Sequence, residues 1–182
     1  MKIERIVLLF CALFLCTRPV AGETLSKWLG QTVYVPIYSH IYAEDRYRDT
    51  PFLLTATLSV RNTDPDKPFT LKSVSYYDSK GVLLQQYLEQ PMTIEPLGST
   101  RFIVPESESK GGSGAKFLVE WEAKAAVVEP IIESVMIGTK MQQGISFIST
   151  GRVIKGGAAE RRRARRAGVG GDRKSTRLNS SH

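Results

Sequence analysis

The sequence predicts an all-β protein, built as a single antiparallel β-sandwich of the immunoglobulin or fibronectin type with seven to nine strands. Short segments alternate apolar and polar residues, which is typical of strands that are buried on one face. Turn residues separate these segments at the spacing of roughly 8–12 residues that favours a sandwich. No apolar pattern is long enough to indicate a helix of about ten residues.

The N-terminus has the pattern of a secretory signal peptide over residues 1–22. Lys2 and Arg5 precede an apolar run over residues 6–16, which is too short to span a bilayer as a helix. Small residues follow at positions 20–22, where we expect cleavage. The protein is therefore expected to be exported, periplasmic or extracellular, without a stable membrane span after cleavage. The alternative is a retained anchor, which would leave the protein membrane-associated.

The C-terminus is predicted to be a disordered basic tail over residues 156–182. Residues 161–166 include five arginines, and the segment has no apolar period. Residues 172–182, DRKSTRLNSSH, can be encoded by a common short-read sequencing adapter. We therefore interpret at least this last segment as a translated artefact, which should be excluded from arguments about the fold.

Net charge gives no support to a nucleic-acid partner once the two ends are set aside. The whole chain carries +7, of which residues 1–22 contribute +2 and residues 157–182 contribute +6. Residues 23–156 are left with −1. A strongly basic surface is the usual electrostatic signature of nucleic-acid binding, and the predicted domain lacks it.

The residue types needed for catalysis or a zinc site are scarce in the predicted domain. Both cysteines, Cys11 and Cys16, fall in the signal, so no disulfide, thiol nucleophile or thiolate metal site is expected. His40 is the only histidine outside the tail. Asp64 and Asp66 could hold a hard cation, but aspartates in turns usually bond their own backbone. We therefore expect no enzyme, no metal and no cofactor.

The domain is predicted to span residues 31–155, after a short lead over residues 23–30. Its first strand, residues 31–42, places valines and isoleucines on one face and aromatic residues on the other. Pro36 cannot donate to a ladder, so this strand is expected at a sheet edge, or with a bulge at that point.

The aromatic face of this strand is the first candidate binding site: Tyr34, Tyr38, His40 and Tyr42. Amphipathic aromatic side chains suit contact with a protein or a sugar. The alternative is that the tyrosine rings are half-buried at the rim of the sheet, because tyrosine is common in strands. Ser39 and His40 are adjacent, so strand alternation predicts that they point to opposite faces and form no nucleophile–base pair.

The second candidate binding site is a glycine-rich loop: Gly111, Gly112, Ser113 and Gly114. Loops usually carry the function of a sandwich, although a hairpin or a backbone contact would explain the same glycines. Its pattern matches neither a nucleophile elbow nor a phosphate-binding loop.

Further strands are predicted on both sides of this loop. Residues 52–61, 69–77 and 82–88 read as a meander of three strands joined by turns. Residues 116–123 alternate sharply, and two more strands are expected at 130–137 and 144–149. The residues between these last two strands could form at most one helical turn.

Several motifs in order resemble a bacterial family known only as domain of unknown function 3124. They are VPIYSHIY at residues 35–42, LSVRNTD at 58–64, YYD at 76–78, GGSGA with VEW between 111 and 121, and PIIESVM at 130–136. The resemblance runs from about residue 31 to residue 154. It implies an exported single-domain protein and assigns no catalytic residue.

The sequence therefore favours a non-enzymatic domain that binds a partner protein or an envelope component. The alternative is a small-molecule or glycan-binding domain, which could include weak hydrolase activity. A chaperone-like or structural role stays open as a third interpretation.

Overall fold

A computed structural model describes residues 26–42, 50–140 and 142–158 of the 182-residue chain. Within these residues the protein is all-β and contains no helix. The twelve strands are β1 (Lys27–Pro36), β2 (His40–Ile41), β3 (Phe52–Leu53), β4 (Thr55–Arg61), β5 (Phe69–Tyr77), β6 (Leu83–Gln86), β7 (Met92–Ile94), β8 (Ser99–Val104), β9 (Lys116–Val128), β10 (Ile131–Lys140), β11 (Gln143–Thr150) and β12 (Arg152–Ala158). The expected signal peptide lies outside the described residues, as does the tail from residue 159 onward.

Two larger antiparallel sheets contain most of these strands. The first sheet has the order β12-β1-β9-β5-β6, and β7 also pairs with β5. The second sheet has the order β11-β10-β4-β8, while β2 and β3 form a separate short pair. The described residues contain no helix long and apolar enough to cross a membrane.

Both larger sheets contribute to one hydrophobic core. The alternation predicted for β4 and β9 is confirmed, because their inward residues are buried and their alternate residues are more exposed. Large core side chains come from both sheets. Leu58 and Met136 belong to the second sheet and Leu54 lies just before β4, whereas Phe69, Tyr76 and Phe117 belong to the first. Burial of such side chains supplies the main driving force for folding.

The expectation that the first strand lies at a sheet edge is wrong. β1 is paired on one side with β9 and on the other with β12. The Ile37 N–H donates to the Ala115 carbonyl oxygen at 3.0 Å, so the nitrogen of Pro36 is directed to the opposite side, toward β12. The pairing with β12 ends at Tyr34 and Arg152, so Pro36 interrupts no ladder hydrogen bond.

The predicted meander over residues 52–88 is also wrong. β4 belongs to the second sheet, whereas β5 and β6 belong to the first, so the turn between β4 and β5 carries the chain across the core. The strand count exceeds the prediction because very short strands form and because β12 adds a strand that was not expected. β12 runs three residues past the expected domain boundary at residue 155.

Residues 139–143 were expected to form at most one helical turn. Instead, β10 continues to Lys140 and β11 begins at Gln143, which leaves a two-residue connection. Gln142 has a φ of 65°, in the left-handed region that two-residue hairpin turns of type I′ require. The two strands pair along their length.

The turn between β4 and β5 is held by two buried polar side chains, Asn62 and Asp64, each 3% exposed. The Asn62 amide donates to the carbonyl oxygens of Lys67, Ile94 and Glu95 at 2.8–3.2 Å. Its own oxygen accepts the Asp64 N–H at 3.0 Å. This side chain therefore joins the β4–β5 turn to the end of β7.

Asp64 extends these contacts to β9. Its two carboxylate oxygens accept backbone N–H groups from Asp66, Lys67 and Val128, each at 3.0 Å. Burial acts to raise the pKa of this carboxyl, but the three N–H donors and the charge of Lys67 outweigh it, so the pKa lies below its ordinary value. Asp64 thus acts as a charged acceptor of three backbone N–H groups.

We predict that Asp64→Asn lowers the free energy of unfolding by about 2–3 kcal/mol, because an amide NH₂ replaces an oxygen that accepts backbone N–H groups. A carboxyl whose pKa is lowered by folding stabilises the protein above its unfolded pKa of about 3.9, and this contribution is lost as pH falls through the folded pKa. Denaturant unfolding across pH should therefore show a difference between the two proteins that shrinks below about pH 4.

The matched control is Asp66→Asn in the same turn, where the side chain is exposed. It should change stability by no more than about 0.5 kcal/mol. Equal losses for the two variants would contradict the role assigned to Asp64.

Candidate functional site

The two candidate sites from the sequence meet at one end of the domain. The Ser39 N–H donates to the Gly112 carbonyl oxygen at 3.2 Å, next to the contact between Ile37 and Ala115. The Leu54 N–H donates to the Ser39 carbonyl oxygen at 2.9 Å. The segment after β1 therefore lies between the glycine loop and the start of β4, which are far apart in sequence.

Two serines hold the glycine loop by hydrogen bonds, and we call Ser39 and Ser79 the serine clamp. The Gly112 N–H donates to Ser39 Oγ at 2.9 Å, and the Gly114 N–H donates to Ser79 Oγ at 3.0 Å. Ser79 Oγ also donates to the Gly111 carbonyl oxygen at 3.0 Å. These backbone N–H groups are already satisfied within the chain, so the loop offers little free backbone for a ligand.

Packing explains why the loop contains glycine. A Cβ at Gly111 would overlap the Tyr76 hydroxyl, which is buried and has no hydrogen-bond partner. Burial, followed by the charge of Glu108, raises the pKa of that hydroxyl above its ordinary value. Gly112 has a φ of 78°, and a Cβ there would come within 2.5 Å of Ser79 Oγ. The two glycines are therefore required by the fold of the loop.

The expectation that the side chains of Ser39 and His40 point to opposite faces is wrong. Ser39 Oγ and His40 Nδ1 are 3.1 Å apart, and His40 Nε2 lies 3.3 Å from the Tyr42 hydroxyl. Strand alternation fails here because β1 ends at Pro36 and Ser39 lies in a bend. Ser39 is fully buried and already accepts the Gly112 N–H, so no substrate can reach its hydroxyl in this arrangement.

The predicted aromatic face is divided among three environments. Tyr34 is half-buried on β1, and Tyr38 packs edge-to-face on Phe147 at a ring-centroid distance of 5.6 Å. Tyr42 is 48% exposed and packs edge-to-face on the half-buried His40 ring at 5.3 Å. Their role in binding stays a prediction, and Tyr42 is the member most open to a partner.

The described residues contain no group of three or more histidine, cysteine, aspartate or glutamate side chains placed to hold a metal ion. Asp66, the second aspartate considered for a cation, has an exposed side chain, and its N–H donates to the Asp64 carboxylate.

An exposed aliphatic surface lies on the outer side of the second sheet. Ile103, Thr57, Val135 and Ile148 are cross-strand neighbours and form one row across β8, β4, β10 and β11. Ile103 is 48% exposed and Ile148 is 61% exposed. Ile137, 51% exposed, flanks this row on β10. We call this surface the isoleucine face.

The sequence contained a signal for this surface that strand alternation did not reveal. In β10, Ile132 and Met136 are buried, while Ile131 and Ile137 on the opposite parity are exposed. A strand with apolar residues on both faces is expected where a second layer covers the sheet. Among the described residues, nothing packs over these isoleucine side chains enough to bury them, and they remain exposed.

A second surface feature is an open groove of about 520 Å³ on the outer side of the first sheet. We call it the β1–β9 groove, and it is lined by Leu29, Gly30, Gln31, Thr32, Lys72, Glu120, Trp121, Glu122, Lys155 and Gly156. A Cβ at Gly156 would lie 2.8 Å from the Gly30 carbonyl oxygen, and a Cβ at Gly30 would lie 2.7 Å from the Trp121 carbonyl oxygen, so the first glycine allows β12 and the second allows β9 to approach β1 closely. Lys72 and Glu122 form an exposed ion pair at 3.1 Å, which contributes little to stability.

A family model described as "Protein of unknown function (DUF3124)" matches residues 30–154. The chain belongs to this family. The match confirms the resemblance drawn from the sequence motifs. The isoleucine face lies within the residues matched to the DUF3124 family, whereas the β1–β9 groove also includes Leu29, Lys155 and Gly156, which lie just outside them.

A comparison with curated proteins found no match. Among solved structures, the DUF3124 chain is similar to one titled "Crystal Structure of Thermotoga maritima 1070". The two share 10% sequence identity and a TM-score of 0.40, covering 70% of this chain and 97% of that chain. At that TM-score the likeness supports no conclusion about function.

We predict that Gly111→Ala lowers the free energy of unfolding by about 1–3 kcal/mol, because the new methyl group must displace the Tyr76 hydroxyl. Denaturant unfolding measures the loss. Ser113→Ala is the matched control in the same loop, because Ser113 is exposed, and it should be within about 0.5 kcal/mol of wild type. A Gly111→Ala variant as stable as the control would show that the loop is free to shift.

Proposed function

We propose that this protein is an exported, non-enzymatic β-sandwich domain of immunoglobulin-like type that binds a partner protein or an envelope component through the isoleucine face. The signal-peptide pattern of residues 1–22 supports export. The single hydrophobic core shared by two antiparallel sheets supports the sandwich architecture.

The observation that carries this proposal is the exposed row that runs from Ile103 to Ile148. Scattered exposed apolar residues are normal, but a contiguous apolar patch on a sheet face usually marks a binding surface. Thr57 separates the aliphatic side chains within the row. The charged residues Arg101 and Glu133 lie in the next row along the strands, where Arg101 is opposite Ser59 and Glu133 is opposite Thr150. The apolar centre therefore has polar residues at its rim.

The geometry of the polar residues supports a non-enzymatic role. Ser39 and His40 are within hydrogen-bond distance, but the buried serine hydroxyl holds the glycine loop. A nucleophile must reach the reacting atom of its substrate, and this hydroxyl is enclosed. The Ser39–His40–Tyr42 contacts therefore organise the end of the domain.

Thr57→Lys should abolish partner binding without unfolding the domain, because it places a charge in the middle of the apolar row. The test captures proteins from the envelope fraction of the source organism on immobilised full chain and quantifies them by mass spectrometry. A binding partner should be depleted at least about tenfold by this change, equal to about 1.4 kcal/mol.

The matched control is Thr70→Lys, the same substitution on the outer side of the first sheet, and it should retain the partner. Tyr42→Ala tests the aromatic site by the same measurement. Loss of the partner with Tyr42→Ala, but not with Thr57→Lys, would assign the binding site to the aromatic residues and contradict the isoleucine face.

The β1–β9 groove favours a second candidate function, the binding of a small molecule or a glycan. Its volume is in the usual range for ligand sites, and Leu29 offers an exposed apolar surface beside two lysines and two glutamates. Glu120 and Glu122 are the carboxylates in this groove to which any weak hydrolase activity would be assigned.

A ligand that binds only the folded protein raises its unfolding temperature. If the groove is a ligand site, a panel of oligosaccharides and short peptides should contain a compound that raises the Tm of the full chain. Thr32→Trp should remove that shift by filling the groove. A panel without any stabilising compound, or a shift that survives the substitution, would count against this function.

A further inference from the structure

Among the described residues, the strands β8, β11, β12 and β6 at the edges of the two larger sheets differ in how well they are protected against pairing with another strand. β8 carries Arg101 and is followed by Pro105, β12 carries Arg152 and Lys155, and β6 has only four residues. Charges, prolines and short length are the devices that keep edge strands from pairing. β11 has eight residues, QGISFIST, with neither a charge nor a proline.

The backbone of β11 has alternate residues available for pairing. The Gly151 N–H donates to the Ile132 carbonyl oxygen at 2.9 Å, so Ile132 directs its backbone groups toward β11. Successive residues of an antiparallel strand direct these groups to opposite sides, so Ser134 and Met136 also face β11. Their partners Ser149 and Phe147 therefore face β10.

It follows that Gly144, Ser146, Ile148 and Thr150 direct their N–H and C=O groups away from the sheet. Among the described residues, no strand pairs with that side of β11. The side chains of Ser146 and Ile148 belong to the outer side of the sheet, beside Ile137 and Val135 respectively. The unpaired backbone edge therefore borders the isoleucine face.

We propose that β11 binds β11 of a second copy of this chain, antiparallel, with Phe147 at the two-fold axis. In this register Ser146 lies opposite Ile148 of the second copy, and Gly144 lies opposite Thr150. Each of these pairs uses backbone groups that point away from β10, so the two four-stranded sheets join into one sheet of eight strands.

Three features favour a second copy as the occupant. β11 has no charge, so pairing it with itself brings no like charges together. Phe147 is half-buried on the inner side and would lie opposite its counterpart at the closely spaced non-hydrogen-bonded position, where aromatic pairs are favourable. A two-fold axis perpendicular to the sheet also keeps both outer sides together, so the isoleucine face continues into the second copy.

The inference can be tested separately from the proposed function, although Ile148 belongs both to the β11 edge and to the isoleucine face. Thr57 lies on β4, two strands from the edge. Thr57→Lys should therefore leave the dimer intact, even where it abolishes partner binding. The mass of the complex and the capture of a partner are measured separately, so the two proposals can fail separately.

The test is sedimentation equilibrium of the full chain, which should yield twice the 20.2 kDa mass of one chain. Ser146→Pro removes an N–H that points away from the sheet, and proline is tolerated at such edge positions. Ser146→Lys instead adds a charge beside Ile148 of the second copy. Each substitution should weaken dimerisation at least about tenfold, equal to about 1.4 kcal/mol.

Arg101→Pro is the matched control, because the same change is made on β8, the opposite edge of the sheet. Tyr87 donates its hydroxyl to the Ile103 carbonyl oxygen, so the odd-numbered residues of β8 direct their backbone away from β4. This control should remain dimeric.

Hydrogen exchange of the wild-type chain provides a second measurement. The amides of Ser146 and Ile148 should become more protected as the protein concentration rises.

A monomeric wild-type chain, or a dimer that survives both Ser146 substitutions, would overturn the proposal. Protection of the Ser146 and Ile148 amides that does not depend on concentration would also overturn it, because another segment of the same chain would then cover the edge.

Discussion

The buried polar turn at residues 62–64 is the constraint on which the arrangement of the two sheets depends. Asn62 and Asp64 accept or donate seven hydrogen bonds to backbone groups at the turn, at the end of β7 and at the end of β9. Buried backbone groups must be paired, and a change in either side chain leaves several of them unpaired at once. Because this turn carries the chain between the sheets, its side chains determine how the sheets are joined.

A second polar cluster closes the opposite end of the same strands. β4 begins beside Ser39, whose carbonyl oxygen accepts the Leu54 N–H, and β5 ends beside Ser79. The serine clamp holds the glycine loop that leads into β9. The apolar core therefore lies between two sets of side-chain-to-backbone hydrogen bonds, which add to the register that one-sided burial of the strands already specifies.

This arrangement explains why the polar residues that attract attention in the sequence have structural roles. Asp64, Ser39 and the glycine loop are engaged with backbone atoms of their own chain. The surface that we propose for recognition is the outer side of the second sheet, where aliphatic side chains are exposed and the β11 edge is unpaired among the described residues. A contiguous exposed apolar surface beside an unpaired strand edge is the kind of surface that proteins use to bind one another.

The sequence by itself determined the all-β class, the family, and which residues of β4 and β9 face the core, because a strand alternates its side chains with a period of two. The same local rule could not assign β4 and β5 to different sheets, place β12 beside β1, or bring Ser39 to Gly112. Those pairings join segments separated by many residues, and their hydrogen bonds depend on which backbone groups remain unpaired after the core has formed. At residues 37–39 the chain leaves the regular strand, so alternation no longer described the first candidate site, and only the tertiary structure placed His40 between Ser39 and Tyr42.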